Sequence, residues 1–141
     1  MAIWFHRQDV RFDIKKKRTV KKWLYSIIER HGFTPGDINI IFCSDEHLLE
    51  VNREWLNHDY FTDIITFNYN DGGVISGDLF ISIDRVKDNA TSEGVDWKKE
   101  LHRVMAHGVL HLLHFGDKTA AEQKQMREKE EEALRLFKEM V

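Results

Sequence analysis

Cysteine, proline and long apolar runs are scarce in this sequence. The one cysteine, Cys43, cannot form a disulfide within the chain, and its place at the end of a strand-like run predicts a buried thiol. With one proline, no repeats and no biased segments, the sequence offers no linker. We therefore predict that residues 1–141 form a single domain, long enough to bury a hydrophobic core.

The sequence also lacks an excess of either charge. It has 21 Lys and Arg against 24 Asp and Glu, a net charge of −3, so no overall positive field attracts nucleic acid. No stretch approaches the roughly 18 apolar residues of a membrane span. The first residues lack the basic start and long apolar run of a secretory signal. Together with the unpaired cysteine, these features predict a cytoplasmic protein.

Strand and helix patterns predict an α+β domain, a small mixed sheet packed by helices. Alternating apolar residues indicate a strand over 37–43, after a turn at Pro35-Gly36. Strands near 63–69 and 78–83 are separated by an Asp-Gly-Gly hairpin turn. Apolar residues at helical spacing and N-cap residues at Ser44, Asp96 and Thr119 predict the helices. These helices cover about 16–31, 44–57, 84–94 and 97–113, and a last one begins at Thr119.

The most informative segment is 107–111, which reads His-Gly-Val-Leu-His inside the fourth predicted helix. Histidines four residues apart lie on one side of a helix, where both rings can bind one divalent metal. We predict that Gly116 ends the helix in the left-handed conformation, so that the chain turns and brings Asp117 back as a third ligand. His107, His111 and Asp117 would leave a fourth position for water, as in a catalytic zinc site.

Neighbouring residues qualify this interpretation. The pattern His-x-x-x-His also occurs by chance on helices whose histidines bind nothing. His114 shares the same strip of the helix but stands about 10 Å from His107 along the axis, so we expect it beside the ligands rather than among them. Gly108 stands where zinc peptidases carry the glutamate that acts as general base, which disfavours a peptidase. Its missing side chain is expected to leave room beside the metal.

Basic and aromatic residues are the candidates for contact with RNA. A basic cluster can bind phosphates or can be the solvated face of the first helix; it consists of Lys15, Lys16, Lys17, Arg18, Lys21 and Lys22. The acidic run over 128–132 is interpreted as a solvated face of the last helix. Tyr60, Phe61 and Tyr69 can stack on unpaired bases or pack within the fold.

Three blocks together resemble the YbeY-type endoribonucleases, bacterial metalloproteins implicated in ribosomal RNA maturation and ribosome quality control. Residues 107–113, His-Gly-Val-Leu-His-Leu-Leu, are similar to the family's histidine signature. Residues 62–67, Thr-Asp-Ile-Ile-Thr-Phe, are similar to its Thr-Asp-Val-Leu-Ser-Phe strand, and 77–82, Gly-Asp-Leu-Phe-Ile-Ser, to its Gly-Asp-Ile-x-Ile-Ser strand. The blocks keep the family's order and rough spacing over about residues 38–120.

Two positions depart from the family pattern. The family's third ligand is a histidine, whereas this sequence has Asp117 there. Aspartate is an acceptable zinc ligand, but it lowers the charge of the site and weakens the metal as a Lewis acid. The family's arginine on the helix before the Thr-Asp strand corresponds to Leu56, and Arg53, about one turn earlier, is the candidate substitute for binding phosphate.

The resemblance implies a metalloprotease-like fold around the ligand helix and one zinc ion per chain. It also implies cleavage of single-stranded RNA in ribosomal RNA (16S 3′-end) maturation, with the small ribosomal subunit as a partner. For the general base, metal-bound water, Asp117 and His114 are the alternatives. Two other functions remain as alternatives to RNA cleavage. A ribosome-associated binding module with a structural metal would need a fourth ligand from His114 or His58; hydrolysis of a peptide is less favoured.

Overall fold

The computed structural model describes residues 2–141. Strands and helices alternate up to the third strand, the fourth strand follows it directly, and three helices come after that. In chain order the elements are β1 (Ile3–Arg7), α1 (Lys17–Arg30), β2 (Thr34–Cys43), α2 (Asp45–Leu56), β3 (Ile64–Asn68), β4 (Val74–Ser82), α3 (Ile83–Glu93), α4 (Trp97–Leu112) and α5 (Ala120–Met140).

The sheet is mixed, which confirms the predicted α+β fold. Its strand order is β1-β2-β4-β3. The first three of these strands run parallel, and β3 pairs antiparallel with β4 at one edge. The hairpin predicted at the Asp-Gly-Gly turn joins β3 to β4, with Asp71 bridging Val74. An antiparallel strand thus forms the edge of the sheet that lies beside α4.

Helices cover both faces of the sheet, unequally. On one face the main core joins the sheet to α1, α3, α4 and α5, and Trp23 is fully buried in it. The Trp23 indole N–H donates to the carbonyl of Ala133 at 2.7 Å and so ties α1 to α5. On the other face a smaller cluster packs α2 against β3 and β4, through Leu48 and Ile65 among others. The ligand helix α4 is therefore held between the sheet and α5.

The predicted helix caps are confirmed. The side chains of Ser44 and Asp96 accept hydrogen bonds from the first turns of α2 and α4. Thr119 and Glu122 form a complete capping box at the start of α5. These caps satisfy backbone N–H groups that have no partner within the helix. The capping residues therefore determine where these three helices begin.

Two predictions about the sheet were wrong or incomplete. Pro35 and Gly36 do not form a turn but belong to β2, which begins at Thr34. The pairing of β2 with β4 shifts register between Pro35 and Ile38. Gly36 is required there because a Cβ would come within 2.8 Å of the Ile75 carbonyl oxygen on β4. The strand β1 was not predicted, since five residues without strict alternation carry little periodic signal.

Cys43 is buried, as expected, at the end of β2. Burial raises the pKa of its thiol to about 12, and the nearby carboxylates of Asp9, Asp45 and Asp84 act in the same direction. No helix within residues 2–141 combines the length and the apolar character that crossing a membrane requires.

Candidate metal centre

The ligand helix α4 lies unusually close to the sheet at Gly108. A Cβ at this position would come within 2.6 Å of Ile64 Cδ1 and 2.7 Å of Leu79 Cδ2. The space left by the missing side chain is therefore filled by β3 and β4, and the expectation that Gly108 leaves room beside the metal was wrong. Its role is to let the helix approach the sheet, which places His107 and His111 next to the edge strand.

His107, His111 and Asp117 converge on one point. The Nε2 atoms of the two histidines lie 2.9 Å apart. Asp117 Oδ2 lies 3.3 Å from His111 Nε2 and 3.4 Å from His107 Nε2. All three side chains are half-buried. The structure thus brings together the three residues that the sequence proposed as ligands.

The spacing of these atoms suits a small divalent metal. A tetrahedral zinc site with bonds of about 2.0–2.1 Å has ligand atoms about 3.3–3.4 Å apart. Both distances to Asp117 Oδ2 fall on this value, and the histidine pair is closer by a few tenths of an ångström. Two imidazole nitrogens and one carboxylate oxygen are also donors that zinc accepts. The residues present therefore fit the metal that the family resemblance implies.

The turn that delivers Asp117 differs from the prediction. Helix α4 ends at Leu112, and the left-handed residue is His114, with φ of 76°, rather than Gly116. Gly116 instead lies against the carboxylate of Glu122, where a Cβ would clash. That carboxylate accepts hydrogen bonds from the backbone N–H groups of Lys118 and Thr119. The capping box of α5 therefore anchors the loop that carries Asp117.

His107 is oriented from behind by Glu130 of α5. Its Nδ1 lies 2.5 Å from Glu130 Oε2, while its Nε2 faces His111 and Asp117. A hydrogen bond from Nδ1 fixes the tautomer in which Nε2 carries the free lone pair, as metal-binding histidines require. Burial by itself raises the pKa of Glu130, but the hydrogen bond with His107 and the charge of Arg103 outweigh it and hold the pKa below its usual value.

Arg103 links two buried carboxylates behind the site. It donates to Glu100 from Nε and Nη2, at 2.8 and 2.5 Å, and to Glu130 from Nη1 at 3.0 Å. Each glutamate is 4% exposed. The hydrogen bonds to Glu100 raise the pKa of the guanidinium against the effect of burial, and the charge of Glu130 adds to the rise. Because the arginine compensates both carboxylates, Glu130 can stay charged while buried.

The sequence pattern did not indicate a role for Glu130, and the interpretation of 128–132 as a solvated face was wrong at this position, where the side chain is buried. Its neighbours Glu128, Glu131 and Glu132 are exposed, as expected. The missed signal is helical spacing. Glu130 lies four residues after Met126 and three before Ala133, both buried, so it falls on the apolar stripe of α5.

A cavity of about 670 Å³ opens beside His107 and Asp117, between α3, α4 and α5. Asn89 lines it and donates from Nδ2 to Asp63 Oδ2 at 3.2 Å. Burial raises the pKa of the Asp63 carboxyl, and the charges of His107 and Arg103 oppose the rise. Asp63, the second residue of the Thr-Asp block, therefore lies near the triad as well.

Other residues singled out from the sequence lie elsewhere. His114 is exposed and its ring contacts Phe33 edge-on, with centroids 6.2 Å apart, so it does not join the triad. Arg53 is paired with Asp59 on the surface. The basic cluster lies around the start of α1, where all of its residues are exposed except Lys21, which is half-buried with its Nζ over the Phe5 ring. Lys16 lies near His102, more than two turns along α4 from His111.

Comparison with known proteins assigns the chain to a family. The family model for endoribonuclease YbeY matches residues 3–138. The endoribonuclease YbeY of Parabacteroides distasonis is 48% identical over 139 residues, covering 99% of this chain and 98% of the relative. That of Cytophaga hutchinsonii is 47% identical over 138 residues, covering 97% and 96%.

A solved structure supports the fold. The solution structure of a Thermotoga maritima protein matches with a TM-score of 0.67 at 24% identity, and the match covers 96% of this chain and 89% of that one. The sequence matches extend over almost the whole chain and include the histidine segment and both strand blocks. This chain belongs to the YbeY endoribonuclease family.

Proposed function

We propose that this chain is a zinc-dependent endoribonuclease that cuts single-stranded RNA in the cytoplasm. Membership of the YbeY family supports the reaction class. The observation that carries the metal dependence is the convergence of three ligand atoms, all within 3.4 Å of one another, on one half-buried point. Precursors of ribosomal RNA near the 16S 3′ end, bound with the small ribosomal subunit, are the proposed substrate.

His107, His111 and Asp117 would hold the metal, and the cavity beside them would admit the RNA backbone. A zinc ion held by these residues would supply a coordinated water of lowered pKa and a positive charge to offset the negative charge on a phosphodiester. Asp117 brings one negative charge into the ligand set. Glu130 keeps His107 in the binding tautomer and orientation.

The carboxylates near the three ligands differ in whether they are free to accept a proton. Glu100 and Glu130 are buried and committed to Arg103 and His107, and Asp63 accepts a hydrogen bond from Asn89. Gly108 supplies no carboxylate. Asp117 is 41% exposed at its side chain and faces the triad through Oδ2. We propose that Asp117 accepts the proton at its other oxygen, Oδ1.

The structure disfavours the binding module with a structural metal. Such a site would need a fourth protein ligand. Within residues 2–141, the group of metal-binding side chains at this point has three members. His114 contacts Phe33 and His58 stacks on Tyr60, so neither of the two candidates completes a closed set.

Metal content and cleavage should be measured together on wild type and His111→Ala, using a single-stranded ribosomal RNA fragment. His6→Ala is the matched control, since His6 is an exposed histidine on β1 at the far edge of the sheet. We expect one zinc per chain and zinc-dependent cleavage in wild type and the control, both lost in His111→Ala. Zinc binding without zinc-dependent cleavage would overturn the proposed function.

A further inference from the structure

Three large aromatic side chains at the C-terminal end of α2 and in the following loop are exposed. The exposed fraction is 68% for Trp55, 55% for Tyr60 and 50% for Phe61. Aromatic side chains of this size are largely buried on average. Tyr60 and Phe61, for which the sequence left stacking on bases or packing within the fold open, are thus about half exposed and lie outside the hydrophobic core. Tyr60 and Phe61 are adjacent in the sequence and Trp55 stands five residues before Tyr60, and exposed apolar rings that lie together mark a binding surface.

The loop that carries these rings is held in place. Asn57 ends α2 in the left-handed conformation, with φ of 55°. The backbone carbonyl of Asn52 accepts from the backbone N–H of His58 at 3.0 Å, and the Asn52 side chain, on a residue that is 1% exposed, donates from Nδ2 to the carbonyl of Tyr60 at 2.9 Å. Because these two contacts fix the loop backbone, the loop does not need to be ordered when a ligand binds.

Two of the rings are supported on one face. Tyr60 stacks on His58 with ring centroids 5.2 Å apart and planes 22° apart, and its hydroxyl lies 3.0 Å from His58 Nδ1. The guanidinium of Arg85 lies over Phe61 at 5.3 Å from the ring centroid. With one face supported and about half of each side chain exposed, both rings can accept a further flat group.

This surface lies close to the metal centre. Phe61 is anchored over Arg85, and Asn89 follows one turn later on α3, about 6 Å along the axis. Asn89 lines the same cavity as His107 and Asp117 and binds Asp63, which stands two residues after Phe61. A strand of RNA whose backbone occupies the cavity would therefore have its neighbouring bases near Phe61 and Tyr60.

The charges around the rings indicate stacking rather than phosphate binding. Arg53 is paired with Asp59, and Arg85 is paired with Asp45 and Asp88. Paired cations attract phosphates weakly, whereas unpaired bases present faces that any aromatic ring can stack on. Paired bases in a duplex hide those faces.

We propose that Trp55, Tyr60 and Phe61 form a stacking platform for unpaired bases of single-stranded RNA beside the metal centre. The proposal rests on the RNA substrate of the proposed function. The platform gives a chain of net charge −3 a means of holding RNA that does not depend on a positive field. Binding at the platform should therefore resist salt more than binding at the basic cluster of α1.

The test is fluorescence anisotropy of a labelled short single-stranded RNA on the full-length, metal-free protein. Tyr60→Leu and Phe61→Leu should each weaken binding about five- to one-hundred-fold, the range expected for one lost base–aromatic stack. Trp4→Leu is the control, because Trp4 is 45% exposed but lies on β1, at the opposite edge of the sheet from β3. It should bind as wild type does. Thermal melting checks that each variant is folded, and Trp55→Leu replaces any that is not.

Two further readouts separate a stacking role from a structural or electrostatic one. An abasic version of the RNA should bind wild type as weakly as it binds the variants, because the bases supply the lost contact. Tyr60→Leu should leave the slope of binding against salt concentration unchanged, since no phosphate contact is removed. Equally tight binding of the abasic RNA to wild type would overturn the platform.

Failure of the platform is distinguishable from failure of the proposed function. If zinc-loaded wild type cleaves the RNA and the two leucine variants bind it as tightly as wild type, the platform is wrong and the nuclease stands. If wild type neither binds nor cleaves the RNA with zinc present, the proposed function is wrong, and the platform fails with it.

Discussion

Glu130 of α5 lies 2.5 Å from Nδ1 of His107 on α4, across 23 positions of sequence. This contact joins the last helix of the chain to the metal centre. It fixes the ring of one proposed ligand and thereby the direction of its Nε2 atom. Helix α5 therefore orients a proposed metal ligand, in addition to packing on the hydrophobic core.

Glu130→Gln should therefore weaken zinc binding. The substitution keeps the shape of the side chain but removes the charge that supports His107 and compensates Arg103. We expect zinc affinity to fall by about 10- to 100-fold, the usual effect of losing a partner behind a metal-binding histidine. Competition with a chromophoric chelator measures the affinity. Glu128→Gln, on the exposed face of α5, is the control. Equal affinities for both variants and wild type would contradict this role.

Gly108→Ala should destabilise the fold. Alanine favours a helix over glycine by about 1 kcal/mol, but the new methyl would overlap Ile64 and Leu79. Overpacking of this kind costs about 1–3 kcal/mol, so the free energy of unfolding should fall on balance. Urea unfolding measures it. Gly73→Ala is the control, because nothing lies within 4 Å of a Cβ there. Greater stability of Gly108→Ala than of wild type would show that α4 is free to move away from the sheet.

Glu122 should make stability depend on pH in the acid range. The backbone N–H of Thr119 lowers its pKa most, against an opposing effect of desolvation, and Lys118 and the Thr119 side chain lower it further. A carboxylate whose pKa is lower in the folded state stabilises the fold above its unfolded pKa of about 4.3 and ceases to do so as pH falls through the folded value. The difference in unfolding free energy between wild type and Glu122→Gln should therefore be constant near neutral pH and shrink in acid. A difference that grows in acid would contradict the sign.

Cys43 should be unreactive in the native state. Its thiol is buried, its pKa is raised to about 12, and its Sγ lies 3.5 Å from the carbonyl oxygen of Ile81. The thiolate is the reactive form, so an aromatic disulfide reagent should label Cys43 only after denaturant is added. The absorbance of the released thiol measures the rate. Rapid stoichiometric labelling of folded protein would show that the end of β2 opens readily.

The helix caps and the convergence of the three proposed ligands, both expected from the sequence, depend on residues close together in the chain. The caps at Ser44, Asp96 and Thr119 bind backbone N–H groups two to three residues away. The pairing of His107 with His111 follows from one helical turn. Asp117 was proposed as the third ligand because it stands six residues after His111, beyond the end of the helix. In each case, local geometry leaves few alternatives.

The features that the sequence did not predict are set by tertiary contact. Glu130 stands in a run of charged residues, which predicts an exposed side chain. It is buried because α5 packs on α4 beside Arg103. Gly108 suggested open space, but the sheet fills that space. The Pro35-Gly36 pair predicted a turn. It lies in β2 instead, because β4 pairs with this part of β2 on both sides of the register shift. No short-range pattern specifies these packing partners.

The most direct test of the account is the anomalous scattering of crystals grown with zinc, measured at the zinc absorption edge. We expect one strong peak per chain, bonded to His107 Nε2, His111 Nε2 and Asp117 Oδ2, with a solvent molecule in the fourth position. A peak bonded to four protein side chains would make the metal structural. Absence of a peak at these three residues would contradict the metal centre itself.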